Sequence, residues 1–236
     1  VNAEGRDVNV IEKQLKAEVG AGTKFLELAI WILGFPLAFL IGFIASFNVQ
    51  VALLSMLAGV IPGLIFQLMK MNALAYLRKL QQRIQANASQ IDNYLEQRVV
   101  ILQNLAALLS KSIDLDKDVM KTVAAYRGGV NPTSDQVRNE TSAAIEGAFS
   151  RINVAFEAYP DLQAQDNIAE AMRQNSYLQK EITAARTLYN DSVASWNQDI
   201  FAWPVKQIVA AKQGYTTRIP FTASQATKDA ARGTFF

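Results

Sequence analysis

The sequence contains neither histidine nor cysteine among its 236 residues. Without cysteine there is no disulfide bond and no thiolate nucleophile. Without histidine there is no usual acid–base group at neutral pH, no histidine metal ligand and no histidine-dependent catalytic triad. Glycine and proline are also scarce, with 12 and 6 residues, which favours long helices over a turn-rich β fold. The net charge is only +2, so we expect no nucleic-acid partner.

Charged residues are missing from one long stretch, because none occurs between Glu27 and Lys70. A helix of about 20 apolar residues is enough to cross a bilayer, and this stretch is about twice that length. Its polarity rises once near the middle, around Asn48. The pattern predicts two transmembrane helices, at about residues 24–46 and 51–70, joined by a tight polar turn. It leaves open the burial of this stretch inside a protein assembly instead of lipid.

Small residues recur about every four positions in both predicted spans. They are Gly34, Ala38, Gly42 and Ser46 in the first span and Ala52, Ser55, Gly59 and Gly63 in the second. Small residues on one face let membrane helices approach closely. We expect Gly34, Ala38, Gly42, Gly59 and Gly63 to pack the spans on each other or on neighbouring copies, although small residues also occur by chance in apolar helices. Pro36 and Pro62 are expected to kink the spans.

Basic residues flank the apolar stretch on both sides. They are Arg6, Lys13, Lys16 and Lys24 before it, and Lys70, Arg78, Lys79 and Arg83 after it. Under the positive-inside rule, both flanks stay in the cytoplasm and the turn faces outward. Residues 1–23 also carry a weak amphipathic pattern, formed by Val8, Ile11, Leu15 and Val19. This segment is either a solvated helix or a helix that lies on the membrane surface.

The chain from residue 71 to residue 213 has a helical apolar period. The first helix is predicted to run without a break to about residue 112, with a heptad-like seam typical of a coiled coil. Its seam consists of Leu77, Leu80, Ile84, Ala88, Ile91, Leu95, Val99, Leu102, Ala106 and Leu109. Further helices are predicted at residues 114–127, 134–158, 162–203 and, after a kink, 204–213. Gly128-Gly129 is the expected stop of the first of these helices, and Ser134 is the expected N-cap of the next.

Apolar stripes are also predicted on two of these later helices. The helix at 134–158 is expected to bury Val137, Ala144, Ile145, Ala148, Ile152 and Phe156. The helix at 162–203 is expected to bury Ile168, Met172, Asn175, Leu178, Ile182, Tyr189, Val193, Trp196 and Ile200. The tail from residue 214 to residue 236 has no period, and no β pattern is visible anywhere.

Polar side chains border the apolar stripe of the last long helix. Arg186, Asn190 and Asn197 share one face, and Tyr189 lies beside them. Buried polar groups need partners, or each costs several kcal/mol. We expect partners on the facing long helix, where Ser89, Asp92, Arg98 and Asn104 interrupt the apolar seam. These residues are predicted to form polar clasps that fix helix register, with a ligand or peptide site as the alternative. A catalytic site is not expected, because these residue types give no nucleophile–base pair.

Four groups of residues carry a resemblance to a known family. They are Ser89-Gln90-Ile91-Asp92 with Leu95, Arg98 and Asn104-Leu105; the Glu-Ala-Tyr-Pro-Asp-Leu run at residues 157–162; Arg186, Tyr189-Asn190, Asn197 and Trp203-Pro204; and Gly214-Tyr215. In these motifs the chain resembles the LemA family of bacterial membrane proteins over about residues 87–215. The resemblance implies a long antiparallel helical domain in the cytoplasm on an N-terminal membrane anchor, in a family with no established enzymatic activity.

The sequence departs from the family pattern at three places. The family usually has one anchoring span, whereas two are predicted here. Gln179-Lys180 stands where the family tends to have a Glu-Asn pair, and Gln103 stands where a proline is common in the first long helix.

Together these patterns predict an all-α protein with an N-terminal transmembrane helical hairpin, followed by an elongated antiparallel bundle of about four helices. The predicted regions are residues 1–23, 24–70, 71–213 and 214–236. We expect a non-enzymatic scaffold of the bacterial inner membrane, in contact with membrane lipid, that self-associates through its transmembrane helices. No catalytic residue, cofactor or metal is expected. The alternative is a signalling or transport accessory protein that docks a cytoplasmic protein partner along the face from Arg186 to Asn197.

Overall fold

A computed structural model describes residues 14–111, 116–130, 132, 134–159 and 165–221. These residues form an all-α structure. Its elements in chain order are α1 (Ala21–Ser46), α2 (Val49–Ser55), a 3₁₀ helix (Met56–Val60), α3 (Ile61–Leu109), α4 (Lys117–Ala125), α5 (Asp135–Ala158), α6 (Asp166–Asp199) and α7 (Val205–Gln213). The chain divides into two compact units, unit 1 with Val1–Gln82 and Ala194–Arg218, and unit 2 with Arg83–Val193 and Ile219–Phe236.

Within unit 1, α1 packs against the chain that follows it, and we call α1 with residues 49–70 the apolar helix pair. The chain reverses at Phe47, whose φ is 50°, and the Asn48 Oδ1 accepts a hydrogen bond from the Gln50 backbone N–H at 2.8 Å. This turn lies at the rise in polarity, because side chains such as Asn48 satisfy the free backbone N–H groups of a helix start.

The small residues lie between the two halves of the apolar helix pair. A Cβ atom on Gly34 would overlap the Gly59 carbonyl, and one on Gly63 would overlap the Trp31 ring. The Ala38 carbonyl accepts a hydrogen bond from the Ser55 hydroxyl at 2.8 Å. Gly42 faces Ser55 in the same way, so the predicted packing residues bring the two halves together within one chain.

The second half of the apolar helix pair is not the single helix predicted for residues 51–70. The α-helix stops at Ser55, a 3₁₀ helix follows at Met56–Val60, and α3 starts at Ile61. Pro62 accounts for the interruption, because its ring clashes with the carbonyl four residues earlier and it has no N–H to donate. Pro36, in contrast, lies inside α1 without ending it.

Large apolar side chains cover the outside of the apolar helix pair. Phe25, Phe47 and Leu57 are 70%, 84% and 73% exposed. Two helical stretches, Ala21–Ser46 and Val49–Leu109, are long and apolar enough to cross a membrane. A core helix of a soluble protein buries most of its apolar side chains, whereas few are buried here.

The heptad-like seam of α3 is confirmed, since all ten of its predicted residues are buried. The predicted stripe of α6 is also buried, apart from the half-buried Met172. On α5, Ile145, Ala148 and Ile152 are buried, but Val137 is 38% exposed and that prediction is wrong. Val137 lies in the first turn of α5, where the helix start is still close to solvent.

The predicted helix ends are mostly close to those observed. Ser134 caps α5, because its hydroxyl accepts a hydrogen bond from the Val137 N–H at 3.2 Å. Gly129 adopts a φ of 95° after α4, as expected for a glycine stop. The helix predicted for residues 162–203 starts at Asp166 and ends at Asp199, and residues 160–164 lie outside the described part of the chain.

The amphipathic helix predicted before the apolar stretch is wrong for residues 14–19, which are extended. Lys16 forms an antiparallel β-bridge with Thr216. The Ala17 N–H donates to the Tyr215 carbonyl at 2.9 Å, and the Thr217 N–H donates to the Leu15 carbonyl at 2.8 Å. Val8 and Ile11 lie outside the described residues. The backbone N–H and C=O groups of these residues therefore bond to the tail instead of to each other within a helix. The tail itself has no apolar period that would have predicted this pairing.

Candidate functional site

The first part of the candidate site lies in unit 1, where α6 holds an extended segment of the tail. The Asn197 side chain forms two hydrogen bonds with one residue: its Nδ2 donates to the Arg218 carbonyl at 2.9 Å, and its Oδ1 accepts from the Arg218 N–H at 2.7 Å. The adjacent residue of α6 also holds the tail, because the Trp196 Nε1 donates to the Thr216 carbonyl at 2.8 Å. The Trp196 ring also packs on Tyr215, with 5.0 Å between ring centroids.

The same arrangement recurs in unit 2, seven residues earlier on α6. The Asn190 Nδ2 donates to the Phe221 carbonyl at 2.9 Å, and its Oδ1 accepts from the Phe221 N–H at 2.6 Å. Tyr189 is buried and packs edge-on against the Phe221 ring, with 6.1 Å between centroids. We call the Asn190 and Asn197 pairings the two amide clamps.

The amide clamps correct the prediction that Asn190 and Asn197 bind the facing long helix. Their partners are backbone groups of residues 218 and 221, in a segment for which no structure was predicted. An extended segment has no apolar period, so only an indirect signal of these pairings is present in the sequence. That signal is the spacing of two asparagines by seven residues, which puts both amides on one helix face.

Arg186 lies one turn before Asn190 and is also tied to the tail. Its guanidinium stacks on the Phe221 ring at 4.6 Å, and its Nη2 donates to the Ser142 hydroxyl of α5. Its Nε is buried and has no partner among the described residues. Burial lowers the pKa of Arg186, while the nearby Glu146 carboxylate acts in the opposite direction. Arg186 therefore connects α5, α6 and the tail.

Arg98 forms the predicted clasp between the two long helices, although with other partners. It is 2% exposed, its Nε donates to the Asn175 Oδ1 at 2.8 Å, and its Nη1 donates to the Gln179 Oε1. The guanidinium stacks on Phe149 at 4.9 Å. Burial lowers the pKa of Arg98 to about 10, against an opposing effect of Glu146 and with a small further lowering by Arg186.

The other residues of the first long helix that were predicted for the clasp, Ser89, Asp92 and Asn104, do not bind Arg186, Asn190 or Asn197 within the described part of the chain. Asp92 instead receives a forked ion pair from Arg138 of α5, at 2.6 and 2.9 Å. Burial alone would lower the pKa of Arg138, but its hydrogen bonds to Asp92 raise it. Ser89 and Asn104 are exposed, so the prediction that they take part in the clasp is wrong.

The charges around this site are unbalanced. Two guanidiniums, those of Arg98 and Arg186, are influenced by one carboxylate, that of Glu146, and neither forms an ion pair within the described part of the chain. Gln179 gives Arg98 a neutral acceptor instead of a charged one. In the sequence, Gln179 stands out only because the family tends to have a Glu-Asn pair at positions 179 and 180.

The described residues contain no group of three or more His, Cys, Asp or Glu side chains that could hold a metal ion. The side chains of this site bind the backbone of the tail and hold helices α3 and α6 together.

A family model described as the LemA family matches residues 87–235, which is more than half of the chain and includes α6, both amide clamps and the buried arginines. No curated protein matches the sequence.

Proposed function

This chain belongs to the LemA family, and from that premise we propose that it is a membrane-anchored, non-enzymatic helical scaffold. In this proposal the apolar helix pair is a transmembrane hairpin. The helices that follow form an antiparallel bundle, which presents its surface to other proteins.

The observation that carries the proposal is the division of side chains in the apolar helix pair. Small residues such as Gly34 and Gly59 meet inside the pair, while Phe25, Leu33 and Leu57 stand exposed outside it. In water this exposed apolar surface would be unfavourable by about 25 cal/mol for each Å². In lipid the same surface is solvated, and small residues at the contact are typical of membrane helices.

The basic flanks support an orientation with both ends of the hairpin in the cytoplasm of a bacterium. Lys24, Arg78 and Lys79 are exposed beside the hairpin, whereas the turn around Asn48 has no charged residue. Positive residues are retained on the cytoplasmic side of membranes. The proposed location is therefore the inner membrane, with the bundle in the cytoplasm.

The absence of enzymatic activity is part of the proposal. The polar groups that sequence reasoning singled out are used to hold structure: Asn190 and Asn197 bind backbone, and Arg98 joins two helices. Side chains with these roles are not available as a nucleophile or a general base.

Self-association through the transmembrane helices stays a prediction and needs a different surface from the one expected. Gly34, Gly42, Gly59 and Gly63 are already in contact within one chain. Any association of copies would therefore use the outer faces of the hairpin, where Leu33 and Leu54 are exposed.

Fractionation and labelling test the membrane proposal. We expect the protein to remain in the membrane pellet after an alkaline carbonate wash and to dissolve only with detergent. Because the sequence has no cysteine, an Asn48→Cys variant carries a single thiol. A membrane-impermeant maleimide added to spheroplasts should label it, whereas the matched Ser89→Cys variant should react only after lysis. Release by carbonate, or labelling of Ser89→Cys in intact spheroplasts, would contradict the proposal.

A second candidate is docking of a protein partner along the Arg186–Asn197 face, as a signalling or transport accessory protein. The amide clamps favour it, because a face that holds the extended backbone of residues 218 and 221 is chemically suited to an extended peptide.

Replacing Asn190 and Asn197 by alanine distinguishes a structural role of the amide clamps from a role in docking. A lower melting temperature supports structural clamps, whereas unchanged melting with loss of a partner in pull-down supports docking.

A further inference from the structure

A cleft lies in unit 1 at the end of the apolar helix pair, where α7 packs against the start of α3. Its wall is apolar and consists of Met71 and Leu74 of α3 and Ile208 and Val209 of α7. Lys70 and Lys212 line the same cleft, together with the Glu27 carboxylate and the amides of Gln67 and Gln213. The cleft therefore offers a ligand an apolar wall beside the Lys212 ammonium and the Lys70 ammonium, the second of which is paired with Glu27.

The position of α7 on α3 is fixed by polar contacts one to two turns farther along. The Tyr76 hydroxyl donates to the Asp199 carboxylate at 2.7 Å, and the Lys206 ammonium lies over the Tyr76 ring at 4.4 Å while it pairs with Asp199. These contacts hold the Lys212 end of α7 beside Lys70. Lys70 is the first charged residue after the apolar stretch, so this end lies at the boundary between apolar and polar sequence.

Unit 1 is more basic than unit 2 in the part of the chain that the structure describes. The described residues of unit 1 contain eight basic and three acidic side chains, a net charge of +5, whereas those of unit 2 contain eleven basic and twelve acidic side chains, a net charge of −1. The basic residues of unit 1 are Lys16, Lys24, Lys70, Arg78, Lys79, Lys206, Lys212 and Arg218. The acidic ones are Glu18, Glu27 and Asp199, of which Glu27 pairs with Lys70 and Asp199 pairs with Lys206. Lys212 is exposed, and its ammonium is available to a ligand at the mouth of the cleft.

We propose that this cleft binds the headgroup of an anionic phospholipid, an inference that rests on the membrane placement proposed above. The phosphate lies between the Lys212 and Lys70 ammonium groups, and the glycerol and first methylenes lie against Met71, Leu74 and Ile208. A free phosphate ion would use the lysines but not the apolar wall. The combination of both, at the level where the hairpin leaves the hydrocarbon, fits a lipid of the cytoplasmic leaflet, which is rich in anionic headgroups.

Native mass spectrometry of the full chain in detergent micelles tests the proposal. Phosphatidylglycerol and phosphatidylcholine with identical acyl chains are titrated separately, and bound lipids are counted. We expect tighter binding of phosphatidylglycerol. We also expect Lys212→Gln to weaken it about fivefold, since one lysine near an anionic surface contributes about that factor. Lys212→Arg should retain binding, which shows that charge and not local structure was lost.

Lys180→Gln is the matched control, because Lys180 is an exposed lysine of α6 in unit 2. Equal binding of the two lipids, or an equal effect of Lys212→Gln and Lys180→Gln, would overturn the lipid site while leaving membrane anchorage intact. Glycerol phosphate that competes as well as the intact lipid would overturn the role of the apolar wall. Failure of the proposed function is distinct, since it appears as protein released without detergent.

Discussion

At the scale of single residues, the pairing of Arg98 with neutral acceptors has a measurable cost. The buried Arg98 and the half-buried Arg186 share the influence of one carboxylate, and desolvation has lowered the pKa of both. A charged group buried without a counter-ion destabilises the folded state. The lowered pKa of Arg98 means that the folded protein loses this proton more readily than the unfolded chain does. Stability should therefore rise with pH between about 10 and the usual arginine pKa, as far as this group alone is concerned.

Replacing Gln179 by glutamate should stabilise the protein. The new carboxylate would accept the existing hydrogen bond from Arg98 and balance its charge, with a gain of about 1–2 kcal/mol. The gain is limited by Glu146, whose carboxylate lies 3.4 Å from the Gln179 amide nitrogen. Urea unfolding in detergent, followed by circular dichroism, measures it. Lys180→Asn, at the adjacent exposed position, should leave the midpoint unchanged, and a less stable Q179E protein would show that repulsion from Glu146 outweighs the attraction to Arg98.

Removing the charge of Asp92 should have the opposite effect. Asp92→Asn leaves the Arg138 guanidinium, whose side chain is only 9% exposed, with Asp135 as its remaining carboxylate partner. Loss of one partner from a mostly buried pair should cost about 2–3 kcal/mol, somewhat less than for a fully buried pair. The same unfolding measurement tests this. Asp118→Asn, which removes an exposed carboxylate, should have no measurable effect, and an equal loss in both variants would argue against a special role for the Asp92–Arg138 pair.

At the scale of elements, helical periodicity predicted most of what is observed. All ten seam residues of α3 and most of the stripe of α6 are buried, because a helix packed on one side shows a regular apolar spacing in its sequence. Extended segments held by backbone hydrogen bonds have no such spacing. For this reason the sequence predicts a helix at residues 14–19, which are extended, and predicts no structure for the segment that binds Asn197.

The residues that α6 contributes to the candidate site were predictable from the sequence, but their partners were not. Arg186, Tyr189, Asn190 and Asn197 all contact other elements, as expected of polar side chains beside an apolar stripe. Their partners depend on where the tail runs, which the composition of the tail does not encode. The prediction that Asn104 takes part in the clasp is wrong because a polar residue near an apolar seam can also be exposed to solvent, as Asn104 is.

The contact between the two halves of the apolar helix pair should be sensitive to side-chain size. Gly34→Leu places a branched side chain against the Gly59 carbonyl and should destabilise the pair by about 1–3 kcal/mol, as overpacking does. Gly22→Leu is the matched control in the same helix, because nothing lies within 4 Å of a Cβ at Gly22. The temperature at which detergent-solubilised protein aggregates measures the difference. Equal aggregation temperatures would mean that the halves do not pack as described.

At the scale of the whole molecule, the tail joins segments that are far apart in sequence. A chain that ends at Gly214 would lose both amide clamps and the pairing with residues 15–17, and it would expose Tyr189 and Trp196. We expect its free energy of unfolding to fall by about 1 kcal/mol for each hydrogen bond lost, with more from exposed aromatic surface. Denaturant unfolding and limited trypsin digestion measure the loss. An unchanged unfolding midpoint would show that the contacts of the tail with α6 do not stabilise the protein.

The pairing of Leu15 with Thr217 also constrains the order of folding. The two residues are 202 positions apart, so their hydrogen bonds close a loop that contains every helix of the described chain. Such a closure is entropically unfavourable until the intervening helices have shortened the path between its ends. In a refolding experiment with pulsed hydrogen exchange, the amides of Ala17 and Thr217 should therefore gain protection last, after those of the helix interiors.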